Sequence, residues 1–267
     1  MSKYNLICGD CLQKMQAIPD ASIDLILCDL PYGTTACKWD SVIPFEPLWS
    51  QYNRIIKNNS AIVLFGSDPF TSRLICSNLK NFKYRIVWNK KIPSGMAYAK
   101  YRPMQQTEDI AVFTKKGEKT IYNPQITKRD KPIKAGGNNK KTDGIFRNFK
   151  TMGAGKEYKK TYEYKNPTNL IEFSKVRLGA VHPTQKPVPL LEYLIKTYTN
   201  AGDVVLDNCM GSGSTGVACA NTDRDFIGIE LDENYFNIAK NRIEAAYNAP
   251  RLFTENGQKT NFNRCKV

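Results

Sequence analysis

The sequence predicts an α/β fold built on a mostly parallel, doubly wound sheet and interrupted by a basic insert. Three observations carry that prediction. Short apolar segments alternate with segments of helical periodicity in the first part of the chain, the pattern of βαβ units. Late in the chain the apolar run Val204-Val205-Leu206-Asp207 leads into the glycine-rich turn Gly211-Ser212-Gly213-Ser214-Thr215-Gly216. Between Lys115 and Leu178 hydrophobic periodicity disappears.

In order along the chain, Asn5–Cys8 reads as a strand and Cys11–Met15 as a helix. Ile23–Cys28 is an apolar strand. Helical spacing marks Pro47–Lys57 and Pro69–Leu79, the latter opened by Ser67-Asp68-Pro69, a capping residue before a proline suited to the first turn. Ala61–Phe65, Tyr84–Trp88 and Asp109–Thr114 are further strands. After the insert, Leu190, Leu191, Leu194, Ile195 and Tyr198 fall on one helical face and Gly202 follows, which predicts a helix over Pro187–Thr199. Val204–Leu206, Ser214–Ala220, Phe226–Ile229 and Asn234–Ala246 then read as strand, helix, strand and closing helix. Beyond Pro250 the composition is polar and the end is expected to fray.

The 267 residues carry 39 Lys and Arg against 25 Asp and Glu, a net charge of +14. Such a surplus favours a polyanionic partner. Lys115–Leu178 alone holds 17 basic and 6 acidic residues, so most of the surplus sits in about a quarter of the chain. A solvated charged spacer would share this composition. The aromatics interleaved with the charges, among them Tyr122, Phe146, Phe149, Tyr158, Tyr162 and Tyr164, point instead to nucleic acid, because rings stack on bases while ammonium groups meet phosphates. No apolar run reaches the roughly 20 residues of a membrane span, and no signal-peptide pattern opens the chain. A cytoplasmic protein without membrane contact is expected. Eight cysteines with a single histidine, His182, fit reduced thiols better than a zinc site, even though Cys8 and Cys11 form a CxxC.

Two constellations carry chemistry. In the first, the glycine turn after Asp207 exposes backbone amides at a helix start, and Glu230 ends the next strand, Phe226-Ile227-Gly228-Ile229. Amides at a helix start suit an anionic group, and an acid at the next strand tip can accept from both hydroxyls of a ribose. This describes a site for an adenosine-containing cofactor. The same residues match GxGxxG followed by an acid, so a nicotinamide-dependent oxidoreductase stays open on the motif alone. In the second, the apolar strand ending at Cys28 presents Asp29-Leu30-Pro31-Tyr32. A carboxylate, a carbonyl before a stiffening proline and an aromatic ring suit a planar amino-heterocycle, the oxygens accepting from its NH2 and the ring stacking on its face.

Together these segments resemble the catalytic and cofactor motifs of the DNA amino-methyltransferases. Their order, with catalytic motif first and cofactor loop last, is similar to the circularly permuted β class. The family's usual Asp-Pro-Pro-Tyr is altered here at Leu30, which keeps the main-chain carbonyl but loses proline's fixed φ. The resemblance implies an S-adenosylmethionine-dependent methyltransferase fold acting on adenine N6 in double-stranded DNA, with the base flipped into Asp29, Leu30, Pro31 and Tyr32. It implies cofactor binding by Asp10, Cys11, Asp207, Met210, Gly211, Ser212, Gly213, Ser214 and Glu230. Lys186, in His182-Pro183-Thr184-Gln185-Lys186-Pro187, either meets the cofactor's methionine carboxylate or lies on the surface. His182 is expected to shape the loop and not to act as a base. On this resemblance residues 1–114 form the catalytic half of the methyltransferase domain, 115–178 the target-recognition insert, 179–250 the cofactor-binding half and 251–267 a polar tail. DNA contact is expected from Lys140, Lys141, Lys159, Lys160, Tyr158 and Tyr162.

Several alternatives remain at this point. Cytosine N4 offers the same amino group beside a ring nitrogen; in the resembled family Asp leans toward adenine and Ser toward cytosine. A nicotinamide enzyme would normally open with its GxGxxG domain, whereas here one further strand–helix follows. A catalytically dead DNA-binding module should have lost Asp29 or Tyr32. A homodimer and a cognate restriction endonuclease are open as partners.

Overall fold

The computed structural model describes residues 3–34, 41–115, 117–138, 157–176, 185–249, 251–253 and 259–261. The main compact unit comprises residues 1–123 and 169–267, and the second unit Pro124–Thr168.

The elements of the main unit follow in the order β1 (Tyr4–Cys8), α1 (Cys11–Lys14), β2 (Ile23–Cys28), α2 (Phe45–Ile55), β3 (Ile56–Gly66), α3 (Phe70–Ser77), β4 (Phe82–Ser94) and β5 (Gln105–Thr114). In the second unit, β6 (Thr127–Asn138) and β7 (Glu157–Lys165) pair antiparallel, with a register shift between Lys128 and Ile133. The main unit resumes with β8 (Leu170–Glu172), α4 (Val188–Tyr198), β9 (Val204–Asp207), α5 (Ser214–Asn221), β10 (Asp225–Glu230) and α6 (Glu233–Asn248). A short antiparallel ribbon of β11 (Arg251–Phe253) and β12 (Lys259–Asn261) ends it, where the polar composition predicts fraying.

Eight strands form one sheet in the order β1-β10-β9-β2-β3-β5-β4-β8. From β1 to β3 every pairing is parallel; β5 runs antiparallel to both β3 and β4, and β8 lies parallel to β4. The sheet is therefore mostly parallel, as the alternating pattern predicts. Every residue of β2 is buried, and from Leu25 onward its side chains alternate: Leu25 and Leu27 join one core, Ile26 and Cys28 the other, which Ile23 also joins across a register shift. Leu48, Trp49, Tyr52 and Ile55 of α2 and Phe70 and Leu74 of α3 cover the second core, while Leu190, Leu191, Leu194 and Ile195 of α4 and Ala239 and Ile243 of α6 cover the first. Each such aliphatic side chain contributes about 1.5–3 kcal/mol on burial.

The one charge inside β2 is compensated. Asp24 is buried, ion-paired with Lys57 at 2.7 Å, and accepts from the Val204 amide at 3.0 Å, so it fastens the start of β9 to β2. Asp232 caps α6 by accepting from the Asn234 and Tyr235 amides, a contact of about 1 kcal/mol. No helix among the described residues is long and apolar enough to cross a membrane.

Candidate active site

Parallel strands deliver the residues that follow their carboxyl ends to one edge of a sheet, where α/β proteins place ligands. Here Gly9-Asp10-Cys11 after β1, Asp29-Leu30-Pro31-Tyr32 after β2, Asp207 to Ser212 after β9, and Glu230 at the end of β10 line a single cavity of about 570 Å³. The loops are tied to one another, with the Gly9 amide donating to the Glu230 carbonyl at 2.8 Å and the Met210 amide to the Ile229 carbonyl at 3.0 Å.

On the β2 side, Asp29 holds two internal donors. The Tyr32 hydroxyl donates to Oδ1 at 2.7 Å and the Lys186 ammonium to Oδ2 at 2.5 Å. Tyr32 stacks on Phe70 at 4.9 Å between ring centroids, which fixes its plane. Burial, reinforced by the Asp29 and Glu108 carboxylates, pushes the Tyr32 phenol well above its ordinary range, so it stays a neutral donor.

Lys186 is 8 % exposed, which excludes the surface position that the sequence leaves open. Its ammonium pairs with Asp29 and lies 3.4 Å from Glu108 Oε2. Glu108 in turn accepts from the buried Lys90 at 3.1 Å. Burial alone would lower the lysine's pKa, but Asp29 and Glu108 outweigh it and hold Lys186 above the usual lysine range. Burial likewise raises Glu108, and the two ammonium groups outweigh it and hold the carboxyl below its usual range. Asp29, Lys186, Glu108 and Lys90 thus form a chain in which carboxyl and amino side chains alternate. Lys90, Glu108 and Trp88 line the cavity but are not among the candidates drawn from sequence. The available signal was a charged residue within or beside an apolar strand run, which residue type alone cannot separate from an exposed one.

On the β9–β10 side, Glu230 Oε2 accepts from the Gly211 amide at 2.8 Å and Oε1 from the Asp232 amide at 2.9 Å. Its carboxylate thereby shapes the glycine loop while keeping lone pairs for a further donor. Burial raises its pKa, against those amide bonds that lower it. Asp207 is buried and braces the same loop, accepting from the Cys209 amide at 3.1 Å and the Thr215 hydroxyl at 2.6 Å. Arg242 of α6 donates to the Ser212 carbonyl. Ser214 Oγ is buried and has no hydrogen-bond partner among the described residues, a polar atom at the cavity wall available to a ligand.

Asp10, Cys11, Asp207, Met210, Gly211, Ser212, Ser214 and Glu230 all line the cavity. Gly213 does not. A Cβ there would lie 2.9 Å from Ala239 Cβ and Ile243 Cδ1, so its missing side chain makes room for α6. Cys11 and Cys28 belong to a buried core with Cys209 packed against it. Among the described residues no group of three or more His, Cys, Asp or Glu could hold a metal. Trp49 and Trp88 are buried. His182, Trp39, Lys140 and Lys141 lie outside the described residues. Tyr158, Lys159 and Lys160 belong to β7, opposite Gly137, Gly136 and Ala135 of β6, and Tyr162 on the same strand is exposed.

The acidic and aromatic residues at the β2 tip, and the glycine loop with Glu230, thus share one chamber. Comparison with known proteins agrees with that arrangement. A family model described as DNA methylase matches residues 23–241. DNA adenine methyltransferase YhdJ of Escherichia coli (strain K12) is 31% identical over 281 residues, covering 96% of this chain and 88% of its own. Type II methyltransferase M.HpaI of Haemophilus parainfluenzae is 28% identical over 260 residues, covering 91% and 75%. Among solved structures, the M1.HpyAVI–SAM complex superposes with a TM-score of 0.61 at 27% identity, covering 90% of this chain and 98% of that one.

Proposed function

Because the chain belongs to the DNA methylase family, we propose that it transfers a methyl group from S-adenosylmethionine to the N6 amino group of adenine in duplex DNA. The observation that carries this reading is the common cavity, in which Asp29, Pro31 and Tyr32 face the same space as Gly211 and Glu230. The nicotinamide alternative is set aside by the family match.

The buried polar atom of Ser214, the spare lone pairs of Glu230 and the Asp10 carboxyl fit an adenosine-containing group. Glu230 would accept from ribose hydroxyls, and Asp10 from the adenine amino group. S-adenosylmethionine, when bound there, supplies a sulfonium methyl as electrophile. The rest of the chemistry falls to the chain. The amino nitrogen of a flipped base is a poor nucleophile because its lone pair is delocalised into the ring. Acceptance of its hydrogens by Asp29 and by the Leu30 carbonyl favours a tetrahedral nitrogen and offsets the positive charge that develops on it. Tyr32, held flat against Phe70, offers a stacking surface that recovers about 1–3 kcal/mol of the few kcal/mol spent on flipping. Holding both partners in contact supplies a further part of the rate.

The second unit supplies an antiparallel ribbon rich in Lys, Arg and Tyr, of a kind that fits the DNA major groove; DNA reading is assigned to it in this proposal. A cognate restriction endonuclease is proposed as a companion because the Haemophilus relative is a type II methyltransferase. The test is mass spectrometry of nucleosides from duplex DNA incubated with protein and cofactor, in EDTA. N6-methyldeoxyadenosine is the expected product. N4-methyldeoxycytidine alone would overturn the base assignment, and strict metal dependence would overturn the mechanism.

A further inference from the structure

We propose that Lys186 is a specificity-determining residue that donates a hydrogen bond to the ring nitrogen beside the amino group of the target base. The inference rests on the reading of Asp29 as the acceptor for that amino group.

An ammonium has three N–H donors. Two of Lys186's face carboxylates, Asp29 Oδ2 at 2.5 Å and Glu108 Oε2 at 3.4 Å. Among the described residues no acceptor meets the third. Lys186 lines the cavity together with Tyr32 and Glu108, and its nitrogen lies 5.9 Å from the Tyr32 ring centroid and 5.1 Å from that of Phe65. The donor therefore stands beside both the acceptor and the stacking surface that the base would use.

The chemistry of the base matches this pairing. In adenine the amino nitrogen and N1 share one carbon, so groups that meet them must also be neighbours: an acceptor for the N–H and a donor for the ring nitrogen. Asp29 and Lys186 are such a pair in direct contact. Each carboxylate oxygen has two lone pairs, so Asp29 Oδ2 can hold Lys186 and accept from the amino group together. Presented by the edge that carries the carbonyl, guanine and thymine offer a ring N–H beside C=O, which would set hydrogen against ammonium and oxygen against carboxylate. Cytosine shares adenine's amino–acceptor pattern, so this contact admits both amino bases and leaves their discrimination to ring size.

The supports of Lys186 fit a positioning network. Glu108 enters from β5 and Lys90 from β4, neighbouring strands, and Lys90 holds the other oxygen of Glu108 at 3.1 Å. Glu108 Oε2 lies 3.4 Å from the ammonium against 2.5 Å for Asp29 Oδ2, so Asp29 is the tighter of its two restraints.

The test uses the full-length protein and two duplexes differing at one atom, with adenine or 1-deazaadenine at the methylated position. Deleting N1 alters the intrinsic reactivity of the amino group equally for every variant, so the ratio of single-turnover rates on the two duplexes, compared between variants, isolates the contact. For wild type the ratio should exceed that of Lys186→Met by about 10–100-fold, the worth of one hydrogen bond to a charged group. Lys186→Arg, which keeps a donor, should lie between. If Lys186→Met turns over too slowly to measure, equilibrium affinities for the two duplexes with S-adenosylhomocysteine present supply the same comparison. One ratio common to all three proteins overturns the inference. Failure of the wild type to methylate the adenine duplex at all would instead overturn the parent reading.

Discussion

The Tyr52 hydroxyl donates to Asn208 Oδ1 at 2.5 Å, joining α2 to the loop after β9 across 156 residues of sequence. Both residues are buried and Asn208 lines the cavity. Tyr52→Phe removes the donor and strands an amide oxygen in the core, which should cost about 1–3 kcal/mol of stability. Urea titration should show a lower midpoint, and cofactor titration a weaker affinity. An unchanged midpoint would show that the bridge carries nothing.

The two sides of the cavity should separate by mutation. Asp29→Ala removes the proposed acceptor and should slow methyl transfer by about 10²–10³, with cofactor affinity close to wild type. Glu230→Ala releases the Gly211 and Asp232 amides and the proposed ribose contact, so cofactor affinity should fall by roughly 10–100-fold. Normal calorimetric binding by Glu230→Ala would remove that carboxylate from the site.

Gly213 has φ of 78° and sits against α6. Gly213→Ala should destabilise the fold by about 1–3 kcal/mol through overpacking and the strained backbone. Thermal denaturation of the variant at wild-type stability would show that α6 gives way easily.

Burial pushes the Asp207 carboxyl from its ordinary 3.8 up to about 6, against hydrogen bonds from Thr215 and the Cys209 amide that lower it. A carboxyl with a raised native pKa holds its proton more tightly folded than unfolded. Its contribution to stability is therefore greatest below about 3.8, declines as pH rises to about 6, and has become a constant cost above that. The cost is on the order of 3 kcal/mol. Asp207→Asn cannot titrate, so its stability relative to wild type should improve between pH 4 and pH 7. A difference flat across that window would refute the shift.

In the second unit, replacing Lys159 and Lys160 together, or Lys140 and Lys141 together, should weaken DNA binding and leave cofactor binding alone. If each lysine meets one phosphate, the slope of log affinity against log salt should flatten by about 0.9 per contact. Slopes equal to wild type for both pairs would move DNA recognition elsewhere.

The parts of this structure written in local pattern were legible in the sequence. A run such as Ile23–Cys28 announces an apolar strand, and α4 announces itself by five apolar residues on one stripe. The motif loops were legible because their residue types have few uses together. Pairings over long separations were not: Lys186 reads equally as a surface residue or a ligand until its 157-residue reach to Asp29 is seen. Leu170–Glu172 is too short to show a period, so the eighth strand of the sheet was hidden in a segment read as insert. The packing of Gly213 against α6 was hidden for a related reason, since a glycine required by a neighbouring helix looks the same in sequence as one required by a turn.

The pairing of β1 with β10 has a consequence for synthesis. Tyr4–Cys8 pair as a strand, among the described residues, with Phe226–Glu230, so a ribosome must add some 220 residues between making β1 and making its neighbour. At roughly 5–20 residues per second this takes on the order of 10–40 s. During that interval the β2 tip with Asp29 can already pack against β3, but the wall formed by Asp10 and Glu230 does not exist. Nascent chains should therefore acquire the ability to retain cofactor abruptly, near the completion of α6, and a stalled chain released before β10 should expose a β1 edge open to pairing with other molecules.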